Sequence, residues 1–200
     1  MVVPVVITSR SHELDRRVTA AVSALGQPVI HHVAPRRNLD PIPEFNRLLN
    51  IAEARTEAKT RALGEHPSEF FLFLDADIVP PTTTIEALLH AQAPVVGGWF
   101  KCDAERWVGG TFISEFVFRY FRDVRPGLTR SDLLSLGCCL VHRSILEDYT
   151  FEAGLRRCCV DESGRLFVAG DGLMFTNHVK EFGLEPALCG EVVCTHLKAV

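Results

Sequence analysis

The sequence lacks an excess of basic residues and lacks a long apolar run. Its 200 residues include 21 Lys and Arg against 25 Asp and Glu, which gives a formal net charge of −4 at pH 7. Without a basic field, nucleic acid and anionic lipid are poor partners, and an acidic ligand has to be held by local Arg, Lys or metal. No stretch approaches the roughly 20 apolar residues of a membrane span, and residues 1–7 lack a basic region and a cleavage site. We therefore expect a cytoplasmic protein with no membrane span and no nucleic-acid partner.

Paired C-x-x-C spacings of a zinc site, internal repeats and interdomain linkers are also missing. The seven cysteines are an odd number without a signal peptide, which favours reduced and buried thiols. The sequence leaves open a disulfide from Cys158 or Cys159 to Cys189 or Cys194. A chain of this length can bury a core without staples, so we predict one domain over residues 1–200.

An uncharged apolar run at residues 70–74 ends on Asp75-Ala76-Asp77. Such a run predicts a strand buried on both faces, as in a parallel sheet flanked by helices. Ligands of open α/β sheets bind at the carboxyl ends of the strands, and side chains at i and i+2 of an extended segment point the same way. The two carboxylates therefore predict a site for Mg²⁺ or Mn²⁺, which in turn can hold a diphosphate.

Strand and helix patterns alternate through the first half of the chain. The predicted strands are 2–8, 29–33, 70–74 and 94–98, and the predicted helices are 11–25, 44–63 and 83–90. This alternation predicts an α/β fold with a mostly parallel central sheet flanked by helices. The second half is richer in strand and aromatic signals, which predict a small antiparallel β extension. Its predicted elements are a hairpin at 107–113, strands at 116–121, 135–142 and 191–195, and helices at 145–148 and 171–182.

Five segments, in this order, resemble the GT-A fold of nucleotide-sugar-dependent glycosyltransferases, most closely the family 2 type. Asp75-Ala76-Asp77 resembles the DxD motif of that family. The other segments resemble the strand after the DxD helix (95–98), the strand that lines the sugar pocket (137–144), the Glu-Asp helix start (169–175) and the terminal metal-binding histidine (193–196). The resemblance implies a Rossmann-like GT-A domain with a nucleotide-sugar-binding half, 1–101, and an acceptor-binding and catalytic half, 102–200. Gly170 stands where the family usually has Glu, and the acidic turn after the second strand is missing.

For the metal, the resemblance implies Asp77 and His196 as direct ligands, with Asp75 reaching the ribose or reaching the metal through water. Imidazole suits Mn²⁺ better than Mg²⁺. The resemblance also lets Lys198 reach the diphosphate. The alternatives are a surface histidine at a strand end and a solvated lysine.

For catalysis, the resemblance implies that Asp171 is the general base for the acceptor hydroxyl in an inverting enzyme. The alternative is that Asp171 only caps its helix. Whether the anomeric centre inverts is not fixed by the sequence.

For the nucleotide sugar, the resemblance implies contacts at several further positions. Arg55 lies in a segment that resembles the Ala-Arg-Asn helix of the family; its alternative is an exposed helical arginine paired with Glu53 or with the neighbours of Lys59. Trp99 is placed to stack on a sugar, although packing under a loop is the commoner role of a tryptophan. The other expected contacts are Thr8, Ser9 and Arg10 at the base, Ala76 within the motif, and Gly97 and Gly98, which allow close approach of the backbone.

These motifs together predict a metal-dependent, hexosyltransferase-type glycosyltransferase with a UDP- or GDP-sugar donor and an unidentified acceptor. One alternative is a haloacid-dehalogenase-like Mg²⁺ phosphatase, in which the first acid is the nucleophile and Gly170-Asp171 helps to bind Mg²⁺. Against it, two α/β units precede the motif and Val79-Pro80-Pro81 follows it. The other alternative is a nucleotide-sugar-binding module that has lost catalysis.

Overall fold

The computed structural model describes residues 1–35 and 37–198, with the backbone alone at 154–158 and 167–169. Its helices are α1 (Arg16–Ala24), α2 (Pro43–Glu65), α3 (Thr84–His90), α4 (Arg143–Glu147) and α5 (Asp171–Glu181). Its strands are β1 (Val5–Ser9), β2 (Val29–Val33), β3 (Phe70–Asp75), β4 (Ile78–Val79), β5 (Val95–Trp99), β6 (Gly110–Phe112), β7 (Val117–Tyr120), β8 (Leu128–Arg130), β9 (Cys138–His142), β10 (Gly154–Asp161), β11 (Leu166–Ala169), β12 (Ala187–Val193) and β13 (Thr195–His196).

The central sheet has the order β2-β1-β3-β9-β5-β12-β8. β1, β2, β3, β5 and β12 run in one direction, and β9 and β8 run in the other. The prediction of a mostly parallel α/β sheet is therefore confirmed. β3 lies inside this sheet, and Phe71 to Leu74 are at most 1% exposed. Their burial explains why the segment reads as an uninterrupted apolar run.

β9 is inserted antiparallel between β3 and β5. The sequence pattern predicts the strand but not its direction, because a buried apolar run reads the same either way along the sheet. The antiparallel direction puts the start of β9 beside the end of β3. The N–H of Asp75 donates to the carbonyl oxygen of Gly137 at 3.0 Å. A residue 62 positions further along the chain thereby borders the first acid of the motif.

The second sheet has the order β11-β10-β7-β6 and forms the predicted extension, antiparallel except where β10 pairs with β7. The hairpin predicted within 107–113 is wrong: β6 pairs with β7, and Trp107 pairs with Lys101. Gly109 has φ of +84°, and a Cβ on Gly110 would lie 2.1 Å from the carbonyl oxygen of Arg119. The two glycines therefore serve a kink and a close strand contact rather than a hairpin turn.

Several predicted helix ends move by a few residues. Asp15 accepts from the N–H of Arg17 at 2.8 Å, so α1 begins at Arg16 instead of near residue 11. α2 continues through Gly64 to Glu65. Strands β8, β10 and β11 were not predicted from the sequence. β8 is only three residues long, charged residues interrupt the apolar pattern of β10, and β11 is a four-residue apolar segment that is too short to show a period.

Within residues 1–35 and 37–198, no helix is both long enough and apolar enough to span a bilayer. Cys189 and Cys194 carry reduced thiols. The side chain of Cys158 lies outside the described residues.

Candidate metal and nucleotide site

The tail of the chain returns to the Asp-Ala-Asp motif through a pair of very short strands. β13 pairs antiparallel with β4, which opposes His196 and Ile78. The N–H of Leu197 donates to the carbonyl oxygen of Asp77 at 2.9 Å. As a result, Nε2 of His196 lies 3.5 Å from Oδ2 of Asp77. Strand pairing thus brings together two of the three predicted metal ligands.

The hydrogen bond of His196 to the backbone fixes which ring nitrogen faces Asp77. Nδ1 lies 2.7 Å from the carbonyl oxygen of Lys101, and because a carbonyl only accepts, Nδ1 carries the hydrogen. Neutral imidazole then presents the lone pair of Nε2 towards the carboxylate. These two groups repel each other unless a proton or a cation lies between them. An imidazole held through Nδ1–H to a backbone carbonyl is a usual arrangement for a metal ligand, so the donor set fits Mn²⁺.

Asp77 also pairs with Lys198, whose Nζ lies 2.6 Å from Oδ2. Burial alone would raise the pKa of Asp77, but the positive charges of Lys198 and of the protonated form of His196 outweigh burial and hold this pKa below its usual value. The Lys198 side chain is 77% exposed, whereas that of Asp77 is 21% exposed. Asp77 is therefore an ionised carboxylate, with a lysine beside it that can turn towards an anionic ligand.

Asp75 faces Arg55 instead of Asp77 and His196. Its Oδ1 lies 2.5 Å from Nη2 of Arg55, and its Oδ2 would lie 3.0 Å from a Cβ placed on Gly137. Across the described part of the chain, no group of three His, Cys, Asp or Glu side chains is arranged to hold a metal ion. A cation between Asp77 and His196 would need further oxygen ligands, such as water or phosphate.

Arg55 and Asp171 form the most deeply buried ion pair around the site. The Arg55 side chain is 7% exposed and that of Asp171 is 9% exposed; Nη1 of Arg55 donates to Oδ2 of Asp171. The alternative of an exposed arginine paired with Glu53 is wrong, because Glu53 pairs with Arg37. Asp171 is the first residue of α5, and Gly170 holds the N-cap position. The carboxylate of Asp171 is therefore directed at Arg55.

The residues predicted to seat the base lie at the carboxyl end of β1. Thr8 is in register with Asp75 on one side and with His32 on the other. The Ser9 hydroxyl donates to the carbonyl oxygen of Ser11 at 2.5 Å and lies 2.6 Å from Nε2 of His31. Arg10 follows the strand and is exposed.

His31 is a neighbour of this edge that sequence reasoning missed, although two adjacent histidines in a predicted strand were a usable signal. Burial, followed by the charges of His12 and His32, lowers the pKa of His31. A neutral His31 can donate one hydrogen bond to Ser9 and leave the carbonyl contact of Ser9 intact.

Gly97, Gly98 and Trp99 lie in the packed interior. A Cβ on Gly97 would lie 2.9 Å from the Leu188 side chain, and one on Gly98 would lie 2.7 Å from that of Val192. β12 therefore uses the space that the glycines leave. Trp99 is 0% exposed, and its ring packs against other aromatic rings, with Nε1 lacking a hydrogen-bond partner among the described residues. It offers no open face for a sugar to stack on. Ala76 is half-buried between the two acids.

No family model and no curated protein sequence matches the chain. Among solved structures, A197 from STIV matches with a TM-score of 0.64 and 17% identity, over 98% of this chain and 85% of that one. GalNAc-T7, solved with UDP, GalNAc and Mn²⁺, matches with a TM-score of 0.60 and 12% identity, over 98% of this chain and 43% of that one. This chain therefore spans less than half the length of GalNAc-T7. The matches show that the chain has a GT-A-like fold, as the motifs predict.

Proposed function

We propose that the protein is a metal-dependent glycosyltransferase that moves a sugar from a nucleoside-diphosphate sugar, with UDP or GDP as the nucleotide, to an acceptor hydroxyl. The observation that carries this proposal is the pairing of β13 with β4, which sets Nε2 of His196 and Nζ of Lys198 beside the carboxylate of Asp77. The presence of UDP, GalNAc and Mn²⁺ in the similar GalNAc-T7 structure supports the same choice of ligands.

Asp77 and His196 would hold Mn²⁺ or Mg²⁺, which as a Lewis acid supplies charge neutralisation for a departing diphosphate. Lys198 adds a second positive charge at the same place, because its exposed side chain can leave Asp77 and contact phosphate. Negative charge builds on the diphosphate as the glycosidic bond breaks, so this lysine contributes more in the transition state than in the ground state.

On the acceptor side, Asp171 would take the proton of the attacking hydroxyl. On the donor side, Asp75 would contact the ribose, and Thr8, Ser9 and Arg10 would border the base at the end of β1. Residues 1–101 would supply most of the donor contacts, and residues 102–200 would supply the general base, Asp171. His196 and Lys198 come from the second half as well, so both halves build the diphosphate site.

The test is release of UDP or GDP from a panel of sugar nucleotides with Mn²⁺ or Mg²⁺. We expect turnover by the wild type, and its loss in Asp77→Asn and in His196→Ala. Asp123→Asn and His90→Ala are matched controls, because both residues are exposed and lie on other parts of the chain. Turnover of p-nitrophenyl phosphate without nucleotide release would instead support the phosphatase. Tight donor binding without turnover would support the inactive module.

A further inference from the structure

Arg55 joins two acids that lie far apart in the sequence. One arm of its guanidinium, Nη2, lies 2.5 Å from Oδ1 of Asp75 at the end of β3. The other arm, Nη1, donates to Oδ2 of Asp171 at the start of α5. A planar guanidinium holds its donors in a fixed fork, so the two carboxylates are held at a set separation and angle.

The helix that carries Arg55 is long and is packed on several sides. Arg55 lies in the middle of the 23-residue helix α2, which packs against β1, β2, α4 and α5. Burial alone would lower the pKa of Arg55, but the charges of Asp171 and Asp75 outweigh burial and raise it above its usual value. A side chain that is 7% exposed and bonded on both arms has little freedom to turn towards a nucleotide.

Asp75 is restrained from its other side as well. Its N–H donates to the carbonyl oxygen of Gly137, and the space beside its Oδ2 exists because Gly137 has no Cβ. The Asp75 side chain is still 33% exposed, whereas that of Asp171 is 9% exposed. The assembly therefore has one acid open to a ligand and one acid that is nearly enclosed.

We infer that Arg55 is a positioning residue: it fixes donor-side Asp75 and acceptor-side Asp171 in one arrangement and acts only through these two carboxylates, without contacting the nucleotide. The inference rests on the proposed glycosyl transfer. In place of the expected contact with the nucleotide, Arg55 holds one carboxylate on the donor side and one on the acceptor side of the reaction. Loss of the fork would release both acids, because two buried or half-buried carboxylates without their cation repel each other.

A pair of double-mutant cycles tests this role. Arg55→Gln is combined with Asp171→Asn and, separately, with Asp75→Asn, and kcat and donor Kd are measured for every variant. We expect Arg55→Gln alone to lower kcat about 100-fold, since small misplacements of reacting groups have costs of that size, and to weaken donor binding about tenfold. We expect less than about a threefold further loss of kcat in the Asp171→Asn background, and no further loss of donor affinity in the Asp75→Asn background.

Arg55→Lys keeps the charge but cannot bond both carboxylates in one plane, so its kcat should lie between those of the wild type and Arg55→Gln. It also replaces Arg55→Gln in both cycles if the glutamine variant does not fold. Arg61→Gln is the matched control, because Arg61 lies on the same helix and, among the described residues, pairs only with exposed Glu65. Its kcat and donor Kd should equal those of the wild type.

The outcomes separate the inference from the proposed function. Equal losses of kcat in every background would overturn the inference and show a general effect on the fold. Further weakening of donor binding in the Asp75→Asn background would also overturn it and would restore direct contact of Arg55 with the nucleotide. Both results leave the glycosyltransferase in place, whereas absence of transfer by the wild type with every donor overturns the proposed function and the inference together.

Discussion

At the scale of single residues, Lys198 and the proposed cation would compete for the same carboxylate oxygen. Nζ of Lys198 lies 2.6 Å from Oδ2 of Asp77, the oxygen that faces Nε2 of His196. A divalent cation between Asp77 and His196 therefore has to displace this ammonium group. A diphosphate beside the cation would then attract the displaced lysine. On the proposed function, the same side chain would thus oppose binding of the metal alone and favour binding of the complete donor.

Lys198→Met separates these two effects by their sign. We expect Mn²⁺ alone to bind about two- to fivefold more tightly, because an exposed ion pair contributes only modestly. We expect UDP in the presence of Mn²⁺ to bind about tenfold more weakly, because a charge-assisted bond to phosphate is lost. Calorimetric titrations measure both. Lys180→Met is the control, since Lys180 forms a similar pair with Asp132, and weaker binding of Mn²⁺ alone to Lys198→Met would contradict this account.

Gly137 offers a second test at this scale. A Cβ at this position would lie 2.7 Å from the Phe100 ring and 3.0 Å from Oδ2 of Asp75. We expect Gly137→Ala to lower Tm by roughly 2–12 °C, since overpacking costs about 1–3 kcal/mol, and to weaken donor binding by moving Asp75. Gly64→Ala is the contrast: nothing lies within 4 Å of its added Cβ inside α2, so Tm should be unchanged or higher. Thermal unfolding with and without donor checks both variants.

At the scale of elements, the sequence predicts best those strands whose two ends are marked by turn-forming or polar residues. β2 is predicted to the residue and β3 to within one residue, because Pro28 and Pro35 flank the segment of β2 and the apolar run of β3 ends on Asp75. The direction of β9 could not be predicted, since it depends on which neighbours the strand finds. The hairpin predicted around Gly109 and Gly110 was wrong for a similar reason, because a pair of glycines fits a hairpin turn as well as a close contact between strands.

The loop after β5 contacts the candidate site, because the carbonyl oxygen of Lys101 accepts a hydrogen bond from Nδ1 of His196. Asp103 organises the loop. Its Oδ1 accepts from the N–H groups of Glu105 and Arg106 at 3.1 and 2.9 Å, and its Oδ2 pairs with the Arg106 guanidinium. The bond with Arg106 is the largest of the effects that lower the pKa of Asp103 to about 2.

Asp103→Asn should therefore lower Tm in a pH-dependent way. The pKa of Asp103 is depressed in the folded state, so its contribution is fully present above the usual value of 3.8 and is lost as pH falls through about 2. We expect a Tm difference of a few degrees between wild type and variant at pH 7, which narrows steadily below pH 4. Thermal unfolding across pH 7 to 3 measures it. A difference that stays constant over this range would show that the charge of Asp103 has no part in holding the loop.

At the scale of the whole molecule, the candidate site is built from elements that the chain order separates. Asp77 follows β3, His196 lies in β13, Asp171 begins α5 and Arg55 lies in α2. The resemblance of the motifs to the GT-A fold singled out each of these residues as a candidate, because each stands at an element end or in a segment that resembles one of the family. It could not reveal that Arg55 bonds two of the acids or that Asp75 turns away from Asp77. Those contacts depend on packing between distant parts of the chain.

This assembly predicts that donor and metal stabilise the fold as a whole. A ligand that binds only the native state at 100 times its Kd adds about 2.7 kcal/mol, which corresponds to a rise in Tm of roughly 5–11 °C for a chain of this size. We expect this rise with UDP and Mn²⁺ together, and a much smaller one with either alone, because Asp77, His196 and Lys198 would surround both. Asp77→Asn should abolish the rise, whereas Asp123→Asn, on an exposed loop, should retain it. An equal rise in Asp77→Asn would place the nucleotide elsewhere on the molecule and would separate the Asp77–His196 pair from donor binding.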